Sequence, residues 1–167
     1  MAGRVDDVWS LMRQGEDVNA WDPMERMTVL QAAVRGCESI AILLLARRGG
    51  KVDSTDDRGL TAMHTAAFKG ELGSVNTLIE GGGSVDKMCI VGWTPLLFAA
   101  NSGSCNVMLV LLKRGADVNA RSRNGTTPLH QVCHGQLEGI EATAKLLLDW
   151  GADETIEDSK QRTAVDM

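Results

Sequence analysis

The chain has no Cys-x-x-Cys pair, no excess of basic residues, no long apolar run and no spare nucleophile–base–acid constellation. Each absence narrows what it can do. Its four cysteines, Cys37, Cys89, Cys105 and Cys133, are scattered through 167 residues, which argues against a disulfide framework and for a reducing compartment. A net charge of −5 and a pI near 5.2 argue against general nucleic-acid binding, which needs a basic footprint. No apolar stretch approaches the roughly 18 residues that span a membrane. Asp6 and Asp7 stand where a secretory leader would be apolar. The expectation is a soluble intracellular protein of the cytoplasm, with the nucleus also open to it.

What the chain does have is a repeat. Thr28, Thr61, Thr94 and Thr127 are spaced 33 residues apart, and each opens a segment of one design: Thr28-Val29-Leu30-Gln31, Thr61-Ala62-Met63-His64, Thr94-Pro95-Leu96-Leu97 and Thr127-Pro128-Leu129-His130. A glycine follows each (Gly36, Gly70, Gly103, Gly135), then a leucine-rich run, then a second glycine (Gly49, Gly82, Gly115, Gly151). The last glycine is displaced by a net insertion of three residues around 136–143. Val52-Asp53, Val85-Asp86 and Val118-Asn119 close three of the units.

This order has a physical reading. Threonine followed by proline starts a helix, since proline fits a first turn and presets φ. Paired alanines (Ala32-Ala33, Ala66-Ala67, Ala99-Ala100) let that helix approach its neighbours closely. The first glycine turns the chain, a leucine-bearing second helix returns antiparallel, and the second glycine stops it in the left-handed conformation. The polar stretch up to the next threonine suits a protruding, hairpin-like finger. One helix pair cannot bury its apolar face alone, so successive pairs must stack. The fold class predicted is an all-α solenoid of helix-turn-helix units with protruding loops.

The pattern resembles the ankyrin-repeat family over nearly the whole chain, most closely at Gly125–His130 and Leu111–Ala120. The resemblance implies a single domain over 1–167: a half repeat 1–21, repeats 22–54, 55–87, 88–120 and 121–156, and a partial repeat 157–167. The half repeat carries only a second helix, with Val8, Leu11 and Met12. Such ends fit either minimal caps or a segment of a longer array, and the segment is the expectation taken here. The match departs at Gln31 and Leu97, where the family places a histidine that bonds the adjoining turn. Those two junctions are therefore expected to be less firmly tied.

In the family, partners are held by finger tips and by the concave side of the first helices. Carried over, the fingers are 22–27, 55–60, 88–93, 121–126 and 157–162. The middle finger, Met88-Cys89-Ile90-Val91-Gly92-Trp93, has no charge, and Phe98 on the adjoining helix replaces Ala32, Thr65 and Gln131 of the other repeats. Met88, Ile90, Val91, Trp93 and Phe98 form the expected partner-binding hot spot, rimmed by Asp57, Arg58, Arg123 and Asn124. The plainer reading is ordinary packing between neighbouring fingers. Trp150 and Trp9 read as local packing.

His130, Cys133 and His134 share a helix face, but His130 has a structural place in the family pattern and a fourth zinc ligand is wanting. No metal or cofactor is expected, and Cys133 and His134, as sequence neighbours, point apart rather than forming a catalytic pair. Asn19 and Asn119 lie in Asp-Val-Asn-Ala segments, the context modified by the asparaginyl hydroxylase that acts on ankyrin repeats; the family consensus alone also prefers asparagine there. The function expected is a non-catalytic adaptor or scaffold module that binds a protein partner, without nucleic acid, membrane or small-molecule substrate. The alternatives are a stoichiometric inhibitor of an enzyme and a targeting segment of a longer multidomain protein.

Overall fold

Every threonine of the 33-residue series lies at a helix start and is buried. The computed structural model describes Asn19, Trp21–Asp22 and residues 26–35, 50–134 and 140–167. The expected helix of the half repeat, Trp9, the run 42–45, and Gly36, Gly49 and Gly135 lie outside the described residues.

Four first helices follow the threonines: α1 (Val29–Arg35), α2 (Ala62–Lys69), α4 (Pro95–Asn101) and α6 (Pro128–His134). Three second helices are described: α3 (Leu72–Glu80), α5 (Cys105–Lys113) and α7 (Ile140–Asp149). A 3-10 turn, Ala164–Asp166, follows Thr163 where the partial repeat is expected to begin its first helix. Thr94 adopts an extended backbone, φ −90° and ψ 165°, and its hydroxyl accepts from the Leu97 amide at 3.4 Å with Pro95 in the first turn. An uncapped helix start would leave such amides without an intrahelical acceptor.

Gly70 (φ +70°) and Gly103 (φ +69°) turn the chain between the paired helices, and Gly82, Gly115 and Gly151 (φ +85°, +88° and +86°) follow the second helices. Gly82, Gly115 and Gly151 thus adopt the left-handed conformation expected of them, and Gly70 and Gly103 adopt it as well. Glycine adopts it without the Cβ penalty that other residues carry.

The first helices pack side by side in chain order, ending on the 3-10 turn, while α3, α5 and α7 form a second row behind them. Between the rows runs one continuous core. Ala62, Ala66, Ala67, Ala99 and Ala100 admit close helix approach, and Met63, Val75, Leu78, Leu96, Met108, Leu111 and Leu147 fill the space behind them. Each such large apolar side chain contributes about 1.5–3 kcal/mol when fully buried. Cys105 reaches across to the next repeat, its sulfur 2.9 Å from Thr143 Oγ1.

The fingers are hairpin turns. The first shows a short antiparallel ladder, β1 (Trp21–Asp22) with β2 (Met27–Thr28), Asp22 opposite Met27. The other four repeat one pair of backbone bonds. In the third, the Cys89 amide donates to Trp93 O at 3.0 Å and Gly92 N donates to Cys89 O at 2.9 Å. Asp56, Ser122 and Asp158 anchor equivalent pairs in their fingers.

Candidate partner-binding face

Neighbouring fingers are joined at their tips. Ile90 N donates to Arg58 O at 3.0 Å, Arg123 N to Val91 O at 3.1 Å, and Ser159 N to Asn124 O at 2.9 Å. The approach is close enough that glycine is needed for space as well as for conformation. A Cβ on Gly92, whose φ is +76°, would stand 2.8 Å from the Arg123 backbone nitrogen. The fingers therefore present a linked row of tips rather than independent loops.

Within that row the tips differ. Asp56 Oδ1 accepts from Arg58 N and Leu60 N, Ser122 Oγ from Asn124 N and Thr126 N, and Asp158 Oδ1 from Lys160 N and Arg162 N, all at 2.7–3.2 Å. The equivalent residue of the middle finger is Cys89, buried, which brings no carboxylate or hydroxyl to its tip. Asp158 also pairs with Arg162 at 2.7 Å, and this hydrogen bond, against some desolvation, lowers its carboxyl pKa to about 2.

The structure places the predicted hot-spot residues in two neighbouring groups. Met88, Ile90 and Val91 are exposed on the middle finger, at 55%, 50% and 55%. Trp93 and Phe98 are half-buried and packed edge-on, ring centroids 5.0 Å apart. Phe98 is the hub of a larger cluster, since His64 and Phe68 also meet it edge-on, at 5.5 and 6.2 Å. Of the predicted rim, Asp57 is engaged by the Arg26 guanidinium across two fingers. Arg58 is exposed and 3.6 Å from Asp56, while Arg123 and Asn124 contribute backbone groups to the tip bonds and keep exposed side chains.

Phe68 was not among the residues picked from the sequence. It is 51% exposed on α2, where the other first helices carry Arg35, Asn101 and His134 at the same repeat position. That phenylalanine in a polar place is the signal that would have found it. Phe68 and Phe98 line an open groove of about 690 Å3 beside the second finger, together with Leu60 and His64, and with Arg26, Arg35, Arg58 and Lys69 among its charged residues.

The two expected weak junctions part company. Gln31 does what histidine does elsewhere: its Oε1 accepts from Thr28 N at 2.7 Å, Thr28 Oγ1 accepts from Gln31 N at 3.2 Å, and Nε2 donates to Leu60 O at 2.9 Å. This reciprocal capping box plus a tie to the next finger corrects the expectation at that junction. An amide carries an acceptor and a donor at nearly the reach of an imidazole. His64 makes the equivalent bonds, with Nδ1 facing Thr61 N and Oγ1 and Nε2 reaching Trp93 O at 3.1 Å. His130 spans Thr127 and Arg162 O in the same way. Leu97 brings no polar atom to its junction and is instead wholly buried.

Both nitrogens of His130 are thus taken up by the stack, which gives it the structural place expected. Among the described residues no group of three histidines, cysteines or acids could hold a metal ion. Burial lowers the pKa of His64 below its ordinary 6.5, against the opposing pull of its bond to Trp93 O. Burial likewise raises that of the Cys133 thiol. Asn119 is a tie between repeats: Oδ1 accepts from Asp153 N at 2.8 Å and Nδ2 donates to Gly151 O at 3.2 Å. Asn19 Oδ1 accepts from Lys51 N in the same manner. No helix among the described residues is long and apolar enough to cross a membrane.

Compared with known proteins, the chain matches the family model described as ankyrin repeats (3 copies), over residues 1–89 and 75–158. No curated protein matches it.

Proposed function

We propose, for a chain that belongs to the ankyrin-repeat family, that it is an adaptor module whose middle finger docks a protein partner. Ankyrin repeats are generally protein–protein interaction modules and generally non-catalytic. One observation carries the finer reading: Met88, Ile90 and Val91 stand together half-exposed on an uncharged tip. Trp93 continues that apolar surface inward to Phe98. Interface centres favour methionine and aromatic residues and are depleted of charge, and a few central residues dominate the affinity.

Asp57, Arg58, Arg123 and Asn124 supply the polar rim. His64 and His130 are occupied by ties between repeats, which supports a binding role over an acid–base one. The reducing cytoplasm, or the nucleus, is the compartment we assign; the free Cys89, Cys105 and Cys133 support it.

Replacing Ile90 and Val91 together by alanine tests the face. Captured partner should be lost about tenfold or more, the scale of a hot spot of 1.4 kcal/mol or above, with the melting transition unmoved. Retained capture at full strength removes the tip from the interface, and a matching fall in melting temperature makes the pair structural.

A further inference from the structure

We propose that the middle finger docks on a partner surface that sets a carboxylate beside an apolar contact, with Arg123 taking the carboxylate while Ile90 and Val91 make the contact. The proposal deepens the adaptor reading and rests on it, naming the chemistry of the surface that the tip meets. The middle and fourth fingers, 88–93 and 121–126, hold Arg121 and Arg123 and no carboxylate. Their tips are joined by the 3.1 Å bond from Arg123 N to Val91 O. The Arg123 stem lies along the middle tip, since a Cβ built on Gly92 would stand 3.2 Å from Arg123 Cγ. The residue is exposed beside Ile90 and Val91.

Charge is cancelled around this place and not at it. On the second-finger side Arg26 pairs with Asp57, and Arg58 stands 3.6 Å from Asp56. At the base of the middle finger Asp86 and Lys87 are both exposed and offset each other. Arg121 donates to Glu157 O at 2.9 Å and so faces the fifth finger, where Glu157 also brings a carboxylate. Among the described residues Arg123 forms no ion pair. An uncompensated guanidinium therefore borders one flank of an uncharged tip. Its fork takes a carboxylate through two parallel hydrogen bonds. Screening over about 8 Å at physiological salt leaves the groups beside the contact to set its sign, despite the net charge of −5 on the whole chain. A basic surface would set like charge against Arg123. Single-stranded nucleic acid stacks its bases on aromatic rings, whereas this tip offers Met88, Ile90 and Val91, with Trp93 half-buried behind them.

Randomised twelve-residue displayed peptides, selected on the full-length chain and counter-selected on its Ile90→Ala/Val91→Ala variant, test this. The peptides retained should carry aspartate or glutamate within a few residues of an apolar side chain. A synthetic copy of one should lose about fivefold or more in affinity with Arg123→Gln, mostly as slower association, and less than about twofold with Arg58→Gln, both at unchanged melting temperature. Raising the salt should weaken binding to the unaltered chain more than to the Arg123→Gln variant. Retained peptides that are neutral or basic, indifference to Arg123→Gln, an equal loss with Arg58→Gln, or equal displacement by a twelve-nucleotide oligothymidylate would overturn the proposal and leave the tip as a binding face. If no peptide survives the counter-selection, the tip reading falls and this proposal with it.

Discussion

Gln31, His64, Leu97 and His130 occupy one place in successive repeats, and three of them solve the same problem with different atoms. A finger carbonyl of the next repeat needs a donor, and the threonine amide that opens the helix needs an acceptor. Imidazole meets both needs only while neutral with the proton on Nε2, which is the form that His64 holds with Trp93 O. Because burial lowers its folded-state pKa below the ordinary 6.5, the unfolded chain binds this proton more readily. Stability from His64 is therefore complete above about pH 6.5 and is lost progressively as the pH falls below that value. Gln31 shows that an amide makes the same bonds without titrating. His64→Gln should keep most of the stability at pH 7.5 and reduce the loss on acidification to pH 5, as read by urea melts at the two values. An unchanged pH dependence would mean that His64 is not the titrating group.

At the scale of the element, the finger is the informative unit. Three fingers carry a side-chain acceptor that closes two amides of the turn, and the middle finger carries Cys89. Restoring that acceptor with Cys89→Asp should stabilise the fold by about 1 kcal/mol, the net worth of a typical hydrogen bond, raising the denaturation midpoint. A lower midpoint would show that the buried thiol packs better than a carboxylate caps. Helix starts and stops were legible in the sequence because threonine, proline and glycine act on their own backbone, and the structure places helices between them. The tip-to-tip bonds were not legible, since they join main-chain groups some 32 to 35 residues apart and leave no side-chain signature. Gln31 misled because its equivalence to histidine is one of geometry, not of residue type. Phe68 was readable only against its repeat equivalents Arg35, Asn101 and His134.

For the whole molecule, stacking makes each repeat depend on its neighbours, so stability is a sum of repeat and interface terms. The two rows of helices bury their apolar faces on each other, and the fingers and the groove are what remains on the open side. Binding by this face needs no enclosed cavity; the scaffold fixes the tips in register and surface residues decide what they hold. Hydrogen exchange of the full-length chain, alone and with its captured partner, tests this claim most directly. The account predicts that the partner slows exchange in the fingers at 56–60, 88–93 and 121–126 and leaves the second helices Leu72–Glu80 and Cys105–Lys113 at their unbound rates. Slowing confined to those second helices, with the fingers unaffected, would contradict it.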